Sequence, residues 1–493
     1  MDATRRGPGS DRTGLDRRDF LKGAAIAPLV GLASSCSTPT RRVFGANSRI
    51  RIAVVGVRVQ GRAHLMSLVR QPGVDVVALC DPDSAMLAQG ARIAAVYGVQ
   101  PALYTDVRKL LDDRAVDAVT VATPDHWHAL IGVWAVSAGK HVYIESPVSH
   151  GIVETRLLEE AARKHDRIVQ TVLPARSHPA VQDAIQFVHE GGLGQIEWVR
   201  AICYRYRLGL GRVEGQGLVP GELDYDLWTG PAPMGPLSRA RLHGDWRWDW
   251  NTGNGDLGEL GVHLLDLANW VLPPRARPNR VWSCGGRMGP DDDGQTPNTL
   301  LVSFQGEGPP IIYEQRGMPE GMGSRSRMDR YRGLQNGLVI EGETGYVVIE
   351  PGRPIAAVLD LEGRVVERFQ GGGDPIANFL AELRGGGSVD AGISVGGAAA
   401  DLCHIANIAH RTAEASDRVQ ILRTILGDRE LLDSFDRMDT HMLQNGINVQ
   451  HDKMALSAWQ IVDPVTGEFF HNEGANALRA RSYRPPFALP AGA

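Results

Sequence analysis

From Arg49 onward, short apolar runs alternate with segments of helical periodicity. Residues 51–55 (RIAVV) form a β-branched run that stops at Gly56. Residues 61–71 then set Leu65, Leu68 and Val69 on one helical face. The alternation continues with strands over 74–80, 103–106, 116–122, 141–144 and 167–171, and helices over 84–96, 107–111, 127–138 and 154–164. The strand runs are almost continuously apolar, which predicts cover on both faces. Strands separated by helices over this length predict a parallel, doubly wound sheet.

After about residue 172 the pattern changes. Longer, partly alternating runs over 196–208, 298–305, 310–316, 337–350 and 356–363 predict a mixed or antiparallel sheet. Between them lie glycine-rich loops, 209–224 and 317–333, suited to shaping a pocket or an interface. The fold class is α/β, and no internal repeat is visible.

Composition narrows the picture. A chain of 493 residues with 43% hydrophobic and 22% charged content fits a soluble globular protein of one large domain or two to three ordinary ones. The net charge of −5, with no basic run among aromatics, argues against nucleic acid as a partner. Outside the N-terminus no apolar run reaches the roughly 18 residues of a membrane span. Cys36, Cys80, Cys203, Cys284 and Cys403 are scattered, without CxxC or Cys/His spacing. Neither a metal site nor a disulfide framework is expected, and most of these cysteines read as small core residues.

The first residues read as targeting rather than fold. Arg17-Arg18 precede Phe20-Leu21-Lys22 and a mildly apolar stretch from Gly23 to Ala33, the layout of a twin-arginine (Tat) export signal. Residues 1–36 are assigned to that signal and 37–48 to a polar linker, with a periplasmic destination. Lipid anchoring at Cys36 is the weaker alternative, because Leu32 sits one position too early for a lipobox.

Two stretches carry candidate chemistry. The first is the turn Gly56-Val57-Arg58-Val59-Gln60-Gly61 between a strand and a helix. A dinucleotide turn reads G-x-G-x-x-G, its middle glycine letting the backbone approach the pyrophosphate. Here Gly56 and Gly61 are in place and Arg58 holds the middle position. Its Cβ should crowd the pyrophosphate, unless the guanidinium swings outward to pair with phosphate. Asp81 lies twenty residues beyond Gly61 at a strand end, the spacing of the acid that binds the adenosine ribose. That carboxylate favours NAD, with NADP the alternative. The second stretch is 251–272, where helical spacing lines up Asp256, Glu259, His263 and Asp266. A carboxylate beside an imidazole is a general acid/base arrangement, although a plain helix pair has the same spacing. A metal site is not expected without a second histidine.

Several segments together resemble the Gfo/Idh/MocA oxidoreductases: IAVVGVRVQGRAHL, VVALCDPD, VATPDHWHALIGVWAVSAGKHVYIESP, LDYDLWTGPAP, GDLGELGVHLLDLANW and NEGANALRARSYRPPF. The resemblance implies a Rossmann domain over 49–172. It also implies a C-terminal α/β domain over 173–493, with an open, mostly antiparallel sheet that holds substrate and joins subunits into a homo-oligomer. By the resemblance, Gly56, Val57, Arg58, Gln60, Gly61 and Asp81 serve the cofactor. Thr123, Pro124 and His128 border its nicotinamide side. Glu145 and Pro147 keep two positions of a Glu-Lys-Pro tripeptide, with a cis peptide bond expected before Pro147. Ser146 stands where that family carries a lysine. His263 matches a proton-relaying histidine, with Glu259 beside it where an aspartate is usual. Arg176, Trp248 and Asp256 match substrate-side positions.

The leading expectation is therefore an NAD(P)-dependent oxidoreductase acting on a sugar, polyol or glycoside hydroxyl. Two alternatives follow from Arg58 and Ser146. One is a redox-neutral enzyme that uses NAD transiently to cleave glycosides. The other is a sugar-binding protein that has lost its cofactor.

Overall fold

The computed structural model describes residues 48–489, Arg275 and Arg325 excepted. The segment read as an export signal, nearly all of the linker, and Cys36 lie outside the described residues.

The first sheet contains β1 (Ile50–Val55), β2 (Val74–Cys80), β3 (Ala102–Tyr104), β4 (Ala118–Val121), β5 (His141–Ile144) and β6 (Val169–Thr171). All neighbours are parallel, in the order β3-β2-β1-β4-β5-β6. Helices α1 (Val59–Leu68), α2 (Ser84–Val96), α3 (Val107–Leu111), α4 (Asp125–Ser137) and α5 (Ile152–Lys164) connect the first five strands in turn and lead to β6. Every residue of β4 and β5 is buried, as continuously apolar strands between two helical layers must be. The strand order reverses between β1 and β4, so the crevice beyond their carboxyl ends is where such a sheet binds ligands. Gly56, Thr123 and Glu145 all leave the sheet at that edge.

The second sheet has eleven strands. They are β7 (Ile196–Tyr204), β8 (Pro278–Gly286), β9 (Thr299–Gly306), β10 (Ile311–Arg316), β11 (Asn336–Gly342), β12 (Gly345–Ile349), β13 (Ile355–Asp360), β14 (Val365–Gln370), β15 (Glu414–Ser416), β16 (Met454–Leu456) and β17 (Gln460–Ile461). Their order is β14-β13-β12-β11-β7-β10-β9-β8-β16-β15, with β17 also on β8. Only β7 and β10 pair in parallel. The run read as one strand over 337–350 is a hairpin, β11 and β12, turning at Glu343-Thr344 between the paired Gly342 and Gly345.

Both faces of the sheet's middle are covered. On one, Val181, Ile185, Leu264, Leu267 and Ala406 come from helices Pro179–His189, Val262–Val271 and Ile393–Arg411 and pack on Val199, Val302 and Leu338. On the other, Ile421, Phe435 and Met442 from helices Arg418–Ile425 and Arg429–Gln444 pack on Trp282, Leu301 and Ile312. Helix Ile393–Arg411 also touches the first sheet: a Cβ at Gly396 would fall 1.9 Å from the Thr171 hydroxyl. Cys80, Cys203, Cys284 and Cys403 are free and buried, as expected of core cysteines.

Candidate active site

The strand ends of the first sheet open into a cavity of about 540 Å³, a size typical of small-molecule sites. One end is lined by Gly56, Arg58, Asp81 and Asp106, the other by Gln60, Glu145, Ser146, Glu259 and His263.

The nucleotide turn works on backbone geometry. Gly56 has φ +79°, and a Cβ there would stand 2.6 Å from the Ala122 carbonyl oxygen. A Cβ on Gly61 would meet the Gly56 carbonyl oxygen at 1.6 Å, so only glycine lets α1 pack this closely against β1. The Val57 N–H donates to Asp81 Oδ2 at 2.9 Å, and the Asp83 N–H to Asp81 Oδ1 at 3.0 Å. Burial pushes the Asp81 carboxyl up to about 6 against the pull of those two N–H groups. Val57 thus braces Asp81 through its backbone, its side chain fully buried and away from the cavity. Arg58 does not fill the turn. Its guanidinium reaches across the cavity rim and donates to the His243 carbonyl oxygen. The turn and the acid fit a dinucleotide, with the turn's N–H groups at the start of α1 for the pyrophosphate and Asp81 for the ribose.

At the other end, β5 delivers Glu145 and Ser146, and the Ser146–Pro147 peptide bond is cis. Glu145 Oε1 accepts from His64 Nε2 at 2.9 Å and from Gln60 Nε2 at 3.4 Å. Burial raises the Glu145 carboxyl, but the His64 hydrogen bond, with the neighbouring imidazoles, outweighs it and holds the group below its ordinary range. Ser146 Oγ lies 3.5 Å from His263 Nε2. Burial lowers the His263 imidazole below its usual value, with Glu145 the strongest opposing charge, then Asp266 and Glu259. His263 is therefore a neutral acceptor at neutral pH. His128 does not offer its ring to a ligand: Nδ1 sits 2.7 Å from the Pro147 carbonyl oxygen and Nε2 2.8 Å from that of Thr123. It ties the β4 loop to the β5 loop.

Four expectations need correction. Glu259 does not orient His263. Residues Leu257–Gly261 form a π-helical turn before helix Val262–Val271, which breaks the assumed spacing. The Glu259 carboxylate instead lies against Arg207 at 3.1 Å and Arg247 at 3.2 Å. Asp256 is buried under the cavity, ion-paired with Arg207. Arg176 is buried against Asp266 at 2.9 Å and over the Trp270 ring at 4.3 Å. Trp248 carries the Arg207 guanidinium at 4.9 Å from its ring centre. None of Asp256, Arg176, Trp248, Gly61 or Pro147 lines the cavity.

His64, Arg205, Asp125, His243 and Arg247 escaped the sequence reading. Arg205 and Arg247 line the cavity beside Glu259. Asp125 accepts from Asn254 Nδ2 at 3.0 Å, and burial raises its carboxyl. One signal was present: Arg205 and Arg207 alternate just past the end of β7, which puts both on one side of the chain.

A parallel sheet with a dinucleotide-type turn thus faces a helix-borne histidine from the second half of the chain across one cavity. Residues 50–172 match the NAD-binding Rossmann fold of the Gfo/Idh/MocA oxidoreductase family, and residues 203–280 match its C-terminal alpha/beta domain. A levoglucosan dehydrogenase from Pseudarthrobacter phenanthrenivorans is 25% identical over 48% of this chain and 54% of its own length. A glycosyl hydrolase family 109 protein from Saccharopolyspora erythraea is 28% identical over 52% of this chain and 54% of its own length. The chain thus spans about half the length of these curated relatives. The fold matches that of the WlbA dehydrogenase of Bordetella pertussis, solved with NADH and UDP-GlcNAcA. The TM-score is 0.54 at 16% identity, covering 72% of this chain and 94% of that one.

Proposed function

We propose that the protein is an NAD-dependent oxidoreductase that removes hydride from a carbinol of a sugar, polyol or glycoside. The observation that carries this is His263, a neutral imidazole in the cavity that begins at the Gly56 turn and Asp81. NAD, when bound, supplies the carbon that accepts the hydride. His263 Nε2 takes the hydroxyl proton, its nearest polar contact being Ser146 Oγ at 3.5 Å. Glu145 offsets the charge that the imidazolium gains. Asp81 disfavours a 2′-phosphate and so NADP. The test is NADH formation across a panel of sugars. His263→Ala should lower kcat by about 10²–10⁴-fold, the range for a positioned base; equal rates in both proteins would sink this role.

A second reading is favoured by Ser146, which leaves the strand end without an amine, and by the family 109 relative. In it, bound NAD would serve as a transient acceptor of a carbinol hydride, so that the glycosidic bond could break by elimination, water add to the resulting unsaturated ketone, and the hydride return. Aryl-glycoside release without net NADH supports this reading, and inertness towards both α- and β-glycosides rejects it. The cofactor-depleted binding protein is the reading that failure to bind NAD would revive. Export through the twin arginines is also part of the proposal, and Arg17→Lys with Arg18→Lys should keep the protein in the cytoplasm. So is assembly as a homo-oligomer through the C-terminal sheet.

A further inference from the structure

Segment 222–247 of the second domain crosses the carboxyl ends of β1 and β2 and is tied down at several points. The Ser84 N–H and hydroxyl both donate to the Glu222 carbonyl oxygen, at 2.9 and 3.1 Å. The Asp224 N–H donates to the Pro82 carbonyl oxygen at 3.0 Å. Midway, the Trp127 indole N–H donates to the Trp228 carbonyl oxygen at 3.0 Å. At the far end His243 Nε2 lies 2.9 Å from Asp83 Oδ2, and the Arg58 guanidinium donates to the His243 carbonyl oxygen. Between these ties the cavity is lined from both sides: Gly56, Asp81 and Pro82 belong to the first sheet's edge, Leu227, Trp228 and His243 to the crossing segment.

Arg58 therefore uses the position of the missing glycine to reach the segment opposite. A glycine there would leave the turn open but make no contact with His243. Two of the ties, Arg58 to the His243 carbonyl and His243 to Asp83, meet on one residue beside the ribose acid Asp81. We propose that Arg58 and His243 form a latch that holds an NAD dinucleotide under segment 222–247, so that the nucleotide exchanges only when the segment lifts. This rests on the reading of the cavity as an NAD site. It makes the protein an enzyme with a resident nucleotide, and it explains Arg58 as a retaining group rather than a defect in the turn.

The test needs no sugar. Full-length protein is loaded with NAD, desalted, and mixed with isotope-labelled NAD; release is followed by mass spectrometry. Wild type should keep its nucleotide through desalting. Arg58→Ala, which keeps a Cβ but not the reach, and His243→Ala should each release it about tenfold faster. That is the loss of one charge-assisted hydrogen bond, about 1.4 kcal/mol. Thermal melting of the apo proteins checks that both variants fold. Retention by wild type that is lost in either folded variant supports the latch. NAD that binds wild type but exchanges within the desalting time, or at one rate in all three proteins, overturns it. No NAD binding to wild type in equilibrium dialysis overturns the NAD reading itself, a distinguishable failure.

Discussion

At the scale of single residues, the proposed proton chemistry reduces to two side chains of opposite charge preference. His263 is a base whose burial favours the neutral form, and Glu145 is the strongest charge favouring the imidazolium. Burial lowers the His263 pKa, so activity should fall with pH through a value below the ordinary 6.5 of histidine. Glu145→Gln keeps a hydrogen-bond acceptor for His64 but removes the negative charge. Removing an anion lowers a histidine pKa further, so the acid limb of kcat/KM at saturating NAD should move to lower pH. The imidazolium formed during reaction also loses its partner, and kcat should drop about tenfold for each pKa unit of lost interaction. A limb that stays in place while kcat is unchanged would show that Glu145 does not act on His263. Gly56, Asp81 and Glu145 were legible because each sits just past a strand end, and His263 through its match to the family pattern, since the π turn breaks the helical spacing from Glu259. The Arg207 contacts to Asp256 and Glu259 join residues far apart in sequence, and His64 meets Glu145 only once α1 and β5 lie side by side. No local spacing encodes such pairs.

At the scale of elements, the regular alternation of the first half was readable because helix and strand periods differ and the runs are long. The helix that carries His263 was not fully readable. Its start, Leu257–Gly261, is a π turn carrying two glycines. A Cβ on Gly261 would lie 3.0 Å from the Tyr313 hydroxyl, and one on Gly258 2.6 Å from the Asn254 Cβ. Close packing against β10 and the preceding loop selects this turn, and a 3.6-residue period cannot show it. The C-terminal tail is a similar case. Arg481 and Tyr483 both donate to Glu154 Oε1, at 2.7 and 2.5 Å, and Phe487 is fully buried against the Trp127 ring, with centroids 5.5 Å apart. Trp127 and its neighbours Asp125 and His128 open α4 at the cavity, so the tail braces the wall of the site. Phe487→Ala should cost about 3–5 kcal/mol in denaturant unfolding, the usual loss for a buried phenylalanine. A loss below about 1 kcal/mol would mean that the tail packs without holding α4.

At the scale of the whole molecule, cover is uneven across the second sheet. Helices lie on both faces of its middle strands, whereas β14 ends the strand order with its far edge unpaired. That strand and the adjoining start of β13 carry apolar side chains in solvent: Val366 is 68% exposed, Val365 45% and, on β13, Ile355 42%. An open edge with apolar flanks invites pairing with another chain. Lys and Glu would be the usual protection, and Glu367 and Arg368 supply some of it, but they follow the valines rather than replace them. The proposed homo-oligomer is therefore best seated on β13 and β14. Sedimentation equilibrium at micromolar concentration should give an integral multiple of the 53.4 kDa chain, or slightly less after removal of a signal. Val366→Lys places a charge on the exposed edge and should shift the mass towards the monomer, while NAD binding at the distant strand ends of the first sheet is retained. A wild-type monomer would rule out the assembly. An oligomer that survives Val366→Lys would move the contact elsewhere on the surface and leave the exposed edge as a feature of the monomer alone.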